Sequence, residues 1–239
     1  MKEPSSPALE ISDFLGRLPL FADVGEPRLK FLAGACRFRR VSKGETVFLQ
    51  SDPSEAAFVV RTGRVSILLH SPDGREMEIE EMRPGDLFGE LGVLTRGPRS
   101  ASAVARTNGE LLVVPRAAFL RCMEDEPRLV RQVLELTASR LQLSVNREIA
   151  LAFMNAQGRL ARQLLSLAER EREKGYVTVS QEDLARATGL IRQTVAKVLG
   201  TWRRDGWLLT GRGRILILNR KALEAVEKGS IDLGVVSPR

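Results

Sequence analysis

The sequence predicts an α+β protein in three parts: an N-terminal antiparallel β-roll, one long helix and a C-terminal winged helix-turn-helix. Three observations predict it. From Phe38 to about Pro115, short runs rich in β-formers alternate with turn signals. From Pro127 to about Ala156, apolar residues recur at three- and four-residue spacing. The charge is lopsided: residues 158–239 hold 16 Lys and Arg against 9 Asp and Glu, whereas residues 1–157 hold 21 of each. The net charge of +7 in 239 residues therefore sits in the last third. That asymmetry suggests a polyanion-binding module joined to a neutral one. The expected domains are residues 1–126, 127–156 and 157–239.

Composition narrows the class. A hydrophobic fraction of 43% and a charged fraction of 28% are those of a globular protein. Met1 to Glu10 is polar and lacks the apolar core of a signal peptide, and no run is long enough to span a bilayer, so a cytoplasmic protein with no membrane partner is expected. Two cysteines, Cys36 and Cys122, cannot hold a Cys₄ cluster, and they read as ordinary, partly buried thiols. His70 is the single histidine, which leaves metal centres and His-paired nucleophiles little to draw on. Neither an enzyme nor a resident metal is expected.

Taken in order, residues 9–37 read as helical. Leu15, Leu18, Leu20 and Phe21, then Leu29, Phe31, Leu32 and Ala35, are spaced for amphipathic turns, broken at Pro19 and at Gly25-Glu26-Pro27. Strands are expected at 46–49, 57–60, 65–69 and 111–114, with Asp73-Gly74 as a hairpin turn. Many short strands at this spacing argue for a closed or nearly closed antiparallel roll that leaves no long bare edge. Residues 88–96 interrupt the β pattern with a turn of helix, where a rigid scaffold would carry a ligand site. The long helix opens on Pro127, suited to the first helical position, and carries the stripe Val130, Leu134, Thr137, Leu141, Val145, Ile149 and Ala152. Thirty residues make a rod of about 45 Å, and a stripe that continuous pairs with a second copy. Gly158 marks the next boundary, followed by an amphipathic helix over 159–168, a charged linker over 169–174 and a short strand over 177–179. Ala222, Leu223, Ala225 and Val226 suggest one more short helix.

The chemistry gathers at two places. In Phe88-Gly89-Glu90-Leu91-Gly92, followed by Pro98-Arg99-Ser100-Ala101, glycines let backbone approach a ligand. Arg99 offers a forked contact to phosphate, and Glu90 offers an acceptor for sugar hydroxyls. The set reads as a pocket for a small phosphorylated ligand with a ribose; the alternative is a structural Arg99–Glu90 salt bridge between two loops. Ser144, on the long helix, is either incidental or a ligand contact.

The second place is Ser180 to Gly206. Ser180, with an acid three residues on, opens a capping-box-like start. A short helix ends at Thr188-Gly189, and a second runs from about Ile191 to Arg204 with Val195, Val198, Leu199 and Trp202 inward. Helix, glycine turn and helix form a helix-turn-helix. Its outward face bears Arg192, Gln193 and Lys197, residue types that reach base edges in a major groove. Thr210-Gly211-Arg212-Gly213-Arg214 reads as the tip of a wing whose two arginines touch phosphates. Gln181, at the start of the first helix, completes the DNA-contacting set.

At these residues the chain resembles the catabolite activator protein/FNR (CRP/FNR) family of bacterial transcription regulators, from about Leu15 to Leu218. Phe88-Gly89-Glu90-Leu91 with Pro98-Arg99-Ser100-Ala101 looks like the phosphate-binding cassette of its cyclic-AMP-binding members. Arg140-Leu141-Gln142-Leu143, Leu151-Ala152-Phe153 and Gly158-Arg159-Leu160-Ala161 are similar to that family's dimer helix and hinge. The resemblance implies a homodimer with a cyclic-nucleotide-binding β-roll (jelly roll), a long dimerisation helix and a winged helix that binds double-stranded DNA at a two-fold-symmetric site, with RNA polymerase as a further partner. It implies that Gly89, Glu90 and Leu91 line the cyclic-phosphate and ribose site, with Glu90 on the ribose 2′-hydroxyl. Arg99 and Ser100 would bind the phosphate and Ser144 the base. The effector it implies is cyclic AMP or another cyclic nucleotide, with no metal. Val145 stands where the family uses a serine that reaches across the dimer. Arg192 matches the guanine-reading arginine. Gln193 replaces a glutamate and Lys197 an arginine, which shifts the operator, since glutamine pairs with adenine. Ile191 replaces a capping serine, a change worth about 1 kcal/mol at that helix start. The rival readings are an effector-independent or Cys36/Cys122 redox-sensing regulator of the same fold, and a cyclic-nucleotide regulatory subunit of an enzyme.

Overall fold

A computed structural model describes residues 7–71 and 76–229. The chain divides into two compact units, residues 1–141 and 142–239.

The first unit opens with helix α1 (Pro7–Gly16), a 3₁₀ turn (Pro19–Phe21) and α2 (Glu26–Ala35). The breaks fall at the expected prolines and glycine, but the helical stretch ends at Ala35, because Arg37 already pairs with Val113 as the first strand. The strands are β1 (Arg37–Val41), β2 (Thr46–Phe48), β3 (Ala56–Thr62), β4 (Val65–His70), β5 (Glu76–Met82), β6 (Leu87–Phe88), β7 (Ser102–Ala105) and β8 (Gly109–Pro115). They form two antiparallel four-stranded sheets, in order β1-β8-β3-β6 and β2-β7-β4-β5. Between β6 and β7 sits α3 (Glu90–Thr95), and α4 (Arg116–Asp125) follows β8. The Asp73-Gly74 turn lies outside the described residues.

The apolar runs of β3 and β8 have a simple cause: these two central strands are buried on both faces. Ala57, Val59, Leu112 and Val114 pack with the N-terminal helices, α4, Leu129 and Val133. The alternate residues Phe58, Val60, Leu111 and Val113 fill the roll interior with Val65, Ile67, Met82 and Phe88. Continuous apolar sequence is what two-sided burial requires.

The long helix α5 (Pro127–Phe153) has two apolar sides. Leu129 and Val133 are buried against the first unit's core, whereas Val130, Leu134, Leu141, Val145 and Ile149 are exposed. The next helix, α6 (Ala156–Arg170), starts before Gly158. Asn155 is its N-cap, and the Asn155 Oδ1 accepts from the Gly158 N–H at 2.8 Å, so the break precedes the glycine instead of falling on it.

The second unit continues through a 3₁₀ turn (Arg172–Lys174) to β9 (Val177–Thr178), α7 (Gln181–Thr188), α8 (Arg192–Arg204), β10 (Leu208–Gly211), β11 (Arg214–Ile217) and α9 (Arg220–Glu227). Its small sheet runs β10-β11-β9. Leu160, Leu164, Leu184, Val195, Val198, Leu199, Trp202, Ile215 and Leu223 make its core.

Candidate ligand site and nucleic-acid interface

The ligand cassette is built where β6 runs into α3. Gly89 takes φ +71° at the helix N-cap, a left-handed conformation that glycine adopts without strain. A Cβ there would lie 2.7 Å from Arg99 Nη1 and 3.2 Å from the Phe48 ring. At Gly92 a Cβ would lie 2.5 Å from Ser54 Oγ and 3.0 Å from the Pro98 carbonyl. The two glycines thus allow α3 to sit against the 98–99 segment.

Arg99 is 5% exposed. The loop that carries it is fixed by two backbone bonds, Arg99 N–H to Asp52 O and Ser51 N–H to Arg99 O, both 2.9 Å. Its guanidinium donates from Nη1 to Gly89 O at 2.5 Å and from Nη2 to Ala56 O at 2.6 Å. It lies 4.1 Å over the Phe48 ring, within a cluster completed by Phe58 and Phe88. Its Nε has no hydrogen-bond partner, and among the described residues no carboxylate stands at ion-pair distance. Burial depresses its pKa, while the charges of Asp52, Glu90 and Glu55 act the other way. A guanidinium nonetheless stays protonated. The result is a buried positive charge held by carbonyl dipoles and aromatic faces, without a directly paired carboxylate among the described residues. A partner that brings its own negative charge would complete it.

Glu90, 2% exposed, does not pair with Arg99, which removes the reading of the two as a salt bridge between loops. Its Oε1 accepts from Arg140 Nη1 at 2.6 Å. Arg140 also donates from Nη2 to Leu87 O at 2.6 Å, and its Nε lies 3.3 Å from Glu80 Oε2. The cassette motif alone does not assign Arg140 to the site. A signal existed: Arg140 continues the Leu129, Val133, Leu136 spacing, the side of α5 that packs on the first unit, and a charge on a buried face needs a partner.

Gly89, Glu90, Leu91, Arg99 and Ser100 therefore share one corner of the roll. Leu91 and Ser100 are exposed there. Ser144 is half-buried and Val145 exposed, both on the part of α5 that belongs to the second unit.

In the second unit, Ser180 caps α7: its Oγ accepts from Asp183 N–H at 3.0 Å. Gly189, at φ +66°, ends that helix and turns the chain into α8. Ile191 stands at the N-cap of α8 with no side-chain bond, as its apolar side chain dictates. Arg192, Gln193 and Lys197 are exposed on α8, opposite buried Val195, Val198, Leu199 and Trp202. Gln181 is half-buried in the first turn of α7. Arg212 and Arg214 are exposed at the β10–β11 hairpin, where Leu208 pairs with Ile217 and Gly211 with Arg214. The Arg214 guanidinium lies 5.0 Å over the Tyr176 ring.

Neither Cys36 nor Cys122 forms a disulfide. Burial pushes Cys36 up to about 12, with the Cys122 charge adding to it, and Cys122 up to about 11. Among the described residues no group of His, Cys, Asp and Glu could hold a metal ion, and no helix is long and apolar enough to cross a membrane.

A β-roll with a candidate ligand corner, a long helix with an exposed apolar side and a winged helix-turn-helix define a transcription regulator. Residues 38–126 match the cyclic nucleotide-binding domain family, and residues 158–226 match the Crp-like helix-turn-helix domain. The chain is 32% identical over 219 residues to the CRP-like cAMP-activated global transcriptional regulator of Mycobacterium tuberculosis, covering 89% of this chain and 98% of that one. A solved CRP-family transcriptional regulator from Thermus thermophilus superposes with a TM-score of 0.65 at 29% identity, over 81% of this chain and 98% of that one. The c-di-GMP-responsive regulator CLP of Xanthomonas campestris shares the fold, with a TM-score of 0.73 at 24% identity, over 81% of this chain and 99% of that one. The chain belongs to the CRP/FNR family of transcription regulators and is not an enzyme.

Proposed function

We propose that the chain is a homodimeric regulator whose affinity for a two-fold-symmetric DNA site is set by a cyclic nucleotide in the β-roll. Arg99 carries the proposal: a buried cation with no carboxylate at ion-pair distance among the described residues, in the same corner as a buried carboxylate, suits a ligand that is both anionic and hydroxylated. In this reading Arg99 and Ser100 take the cyclic phosphate, and Gly89, Glu90 and Leu91 line the ribose side. Glu90 accepts from the 2′-hydroxyl and Ser144 contacts the base. Cyclic AMP is the reference effector, because the mycobacterial relative is named for it. Residues 1–126 sense, 127–156 dimerise through the exposed Leu134 and Leu141 side of α5, and 157–239 bind DNA. Gln181, Arg192, Gln193, Lys197, Arg212 and Arg214 are the DNA contacts, RNA polymerase is a further partner, and the protein works in the cytoplasm.

Ligand binding would shift an existing equilibrium between placements of the DNA-binding domains. Redox sensing through the cysteines is disfavoured by their raised pKa values, since the thiolate is the reactive form. The test is calorimetric titration with cyclic mono- and dinucleotides, with Arg99→Leu as control. Binding of a cyclic nucleotide that Arg99→Leu abolishes supports the proposal; no binding to any member of the panel contradicts it.

A further inference from the structure

We propose that Glu80 reads the base of the bound nucleotide and favours a base with two adjacent N–H donors, as guanine presents, over adenine. The inference rests on the reading of the Arg99 corner as a cyclic-nucleotide site.

Its starting point is an acid where the strand pattern calls for an apolar residue. Glu80 on β5 pairs across the sheet with Ile67, and Ile67 belongs to the roll interior. Two residues on, Met82 is 2% exposed in that same interior. Cross-strand partners and i, i+2 residues share a face, so Glu80 stands on the inner face. Its carboxylate reaches Arg140 Nε at 3.3 Å, on the guanidinium whose Nη1 holds Glu90 at 2.6 Å. The carboxylates of Glu80 and Glu90 are therefore spanned by one guanidinium.

Arg140 does not need the second acid. Glu90 balances its charge and the Leu87 carbonyl takes its other terminal nitrogen. An ionised carboxylate only accepts, and its two oxygens can take several donors at once, so a Glu80 that meets Arg140 can still accept from a ligand. With the ribose 2′-hydroxyl on Glu90, the base hangs from the adjoining sugar carbon and enters the reach of a group one guanidinium away. Guanine offers that group the N1–H and N2–H pair, which matches its two oxygens as a guanidinium fork does. Adenine offers one amino group beside a lone pair on N1, which the carboxylate repels.

The experiment measures Kd for cyclic GMP and cyclic AMP on the full-length protein, its Glu80→Gln variant and its Arg99→Leu variant. The expected result is that the wild type binds cyclic GMP about tenfold or more tightly than cyclic AMP, the size of one charge-assisted hydrogen bond. In Glu80→Gln that preference should vanish or reverse, because an amide can both donate to N1 and accept from the amino group of adenine. A merely structural role for Glu80 would weaken both nucleotides by the same factor. If both bind, Arg99→Leu abolishes both, and the ratio is the same in wild type and Glu80→Gln, the Glu80 assignment is overturned while the cassette reading stands. If neither binds to the wild type, the cassette reading falls and this inference with it.

Discussion

Arg140 and Glu90 meet at 2.6 Å across fifty positions of sequence, joining the long helix to the first turn of α3. Glu90 is 2% exposed and its partner's side chain 16%. The pair fastens the acid that is proposed to hold the ribose to the helix that is proposed to carry the signal.

Removing one member of a buried pair leaves the other uncompensated, which costs about 3–5 kcal/mol. Arg140→Met should destabilise the first unit by an amount near the lower end of that range, because Arg140 is partly exposed. Glu90→Gln should cost less, since the amide still accepts from Arg140. Urea unfolding of the two single variants and the double variant should be non-additive, with the double variant recovering part of the loss. Additive losses would show that the two side chains do not depend on each other.

Little of this network is legible in the sequence. The 88–96 insertion, the two helices of the winged domain and the Arg99 corner follow from local glycine and apolar spacing, which short segments carry in full. Strand β5 does not: Glu76-Met77-Glu78-Ile79-Glu80-Glu81-Met82 reads as solvated, because its acids find partners only in the fold. Glu78 accepts from Ser66 Oγ, Glu76 faces His70, and Glu80 meets Arg140. Strand β1, with three arginines in five residues, is masked in the same way; Arg39 is held by Glu45, and Arg40 lies near Glu110. Charge balance between elements distant in sequence is a tertiary property, and neither propensity nor period records it.

The exposed side of α5 predicts the oligomeric state. Leu134 is 63% exposed and Leu141 66% exposed. Leu134→Glu together with Leu141→Glu should convert a dimer to a monomer in analytical ultracentrifugation. The variants' near-native circular dichroism should persist, because neither residue belongs to the buried core of the described fold. A monomeric wild type would remove the dimer proposal.

The wing and recognition helix predict two kinds of loss. Arg212→Ala with Arg214→Ala should weaken DNA binding alike on all sequences. It should also flatten the dependence of log K on log salt by about 0.9 for each phosphate no longer neutralised, counted twice in a dimer. Arg192→Ala should instead relax preference at one base pair per half-site, by about 1–3 kcal/mol. Fluorescence anisotropy over a salt series with the operator and with mutated operators separates the two.

The thiols predict a pH dependence. Cys36 and Cys122 hold their protons up to about 12 and about 11 in the fold, against an ordinary value of 9.0. Their contribution to stability is therefore fully present below pH 9. Above it the unfolded chain releases both protons while the fold retains them, so stability falls as pH rises from about 9 toward 11. Under reducing conditions the urea midpoint should drop over that interval, and less steeply in a Cys36→Ala, Cys122→Ala variant. Equal slopes would mean that the thiols do not contribute.

The central claim is that the Arg99 corner controls the winged helix. The most direct measurement is operator affinity with and without saturating cyclic nucleotide, using cyclic GMP and cyclic AMP, in the wild type and in Arg99→Leu. A coupling of 1–3 kcal/mol corresponds to about 5- to 150-fold in affinity. The prediction is a change in that range for the wild type and none for Arg99→Leu. A wild type that binds the nucleotide by calorimetry yet holds its operator with unchanged affinity would contradict it.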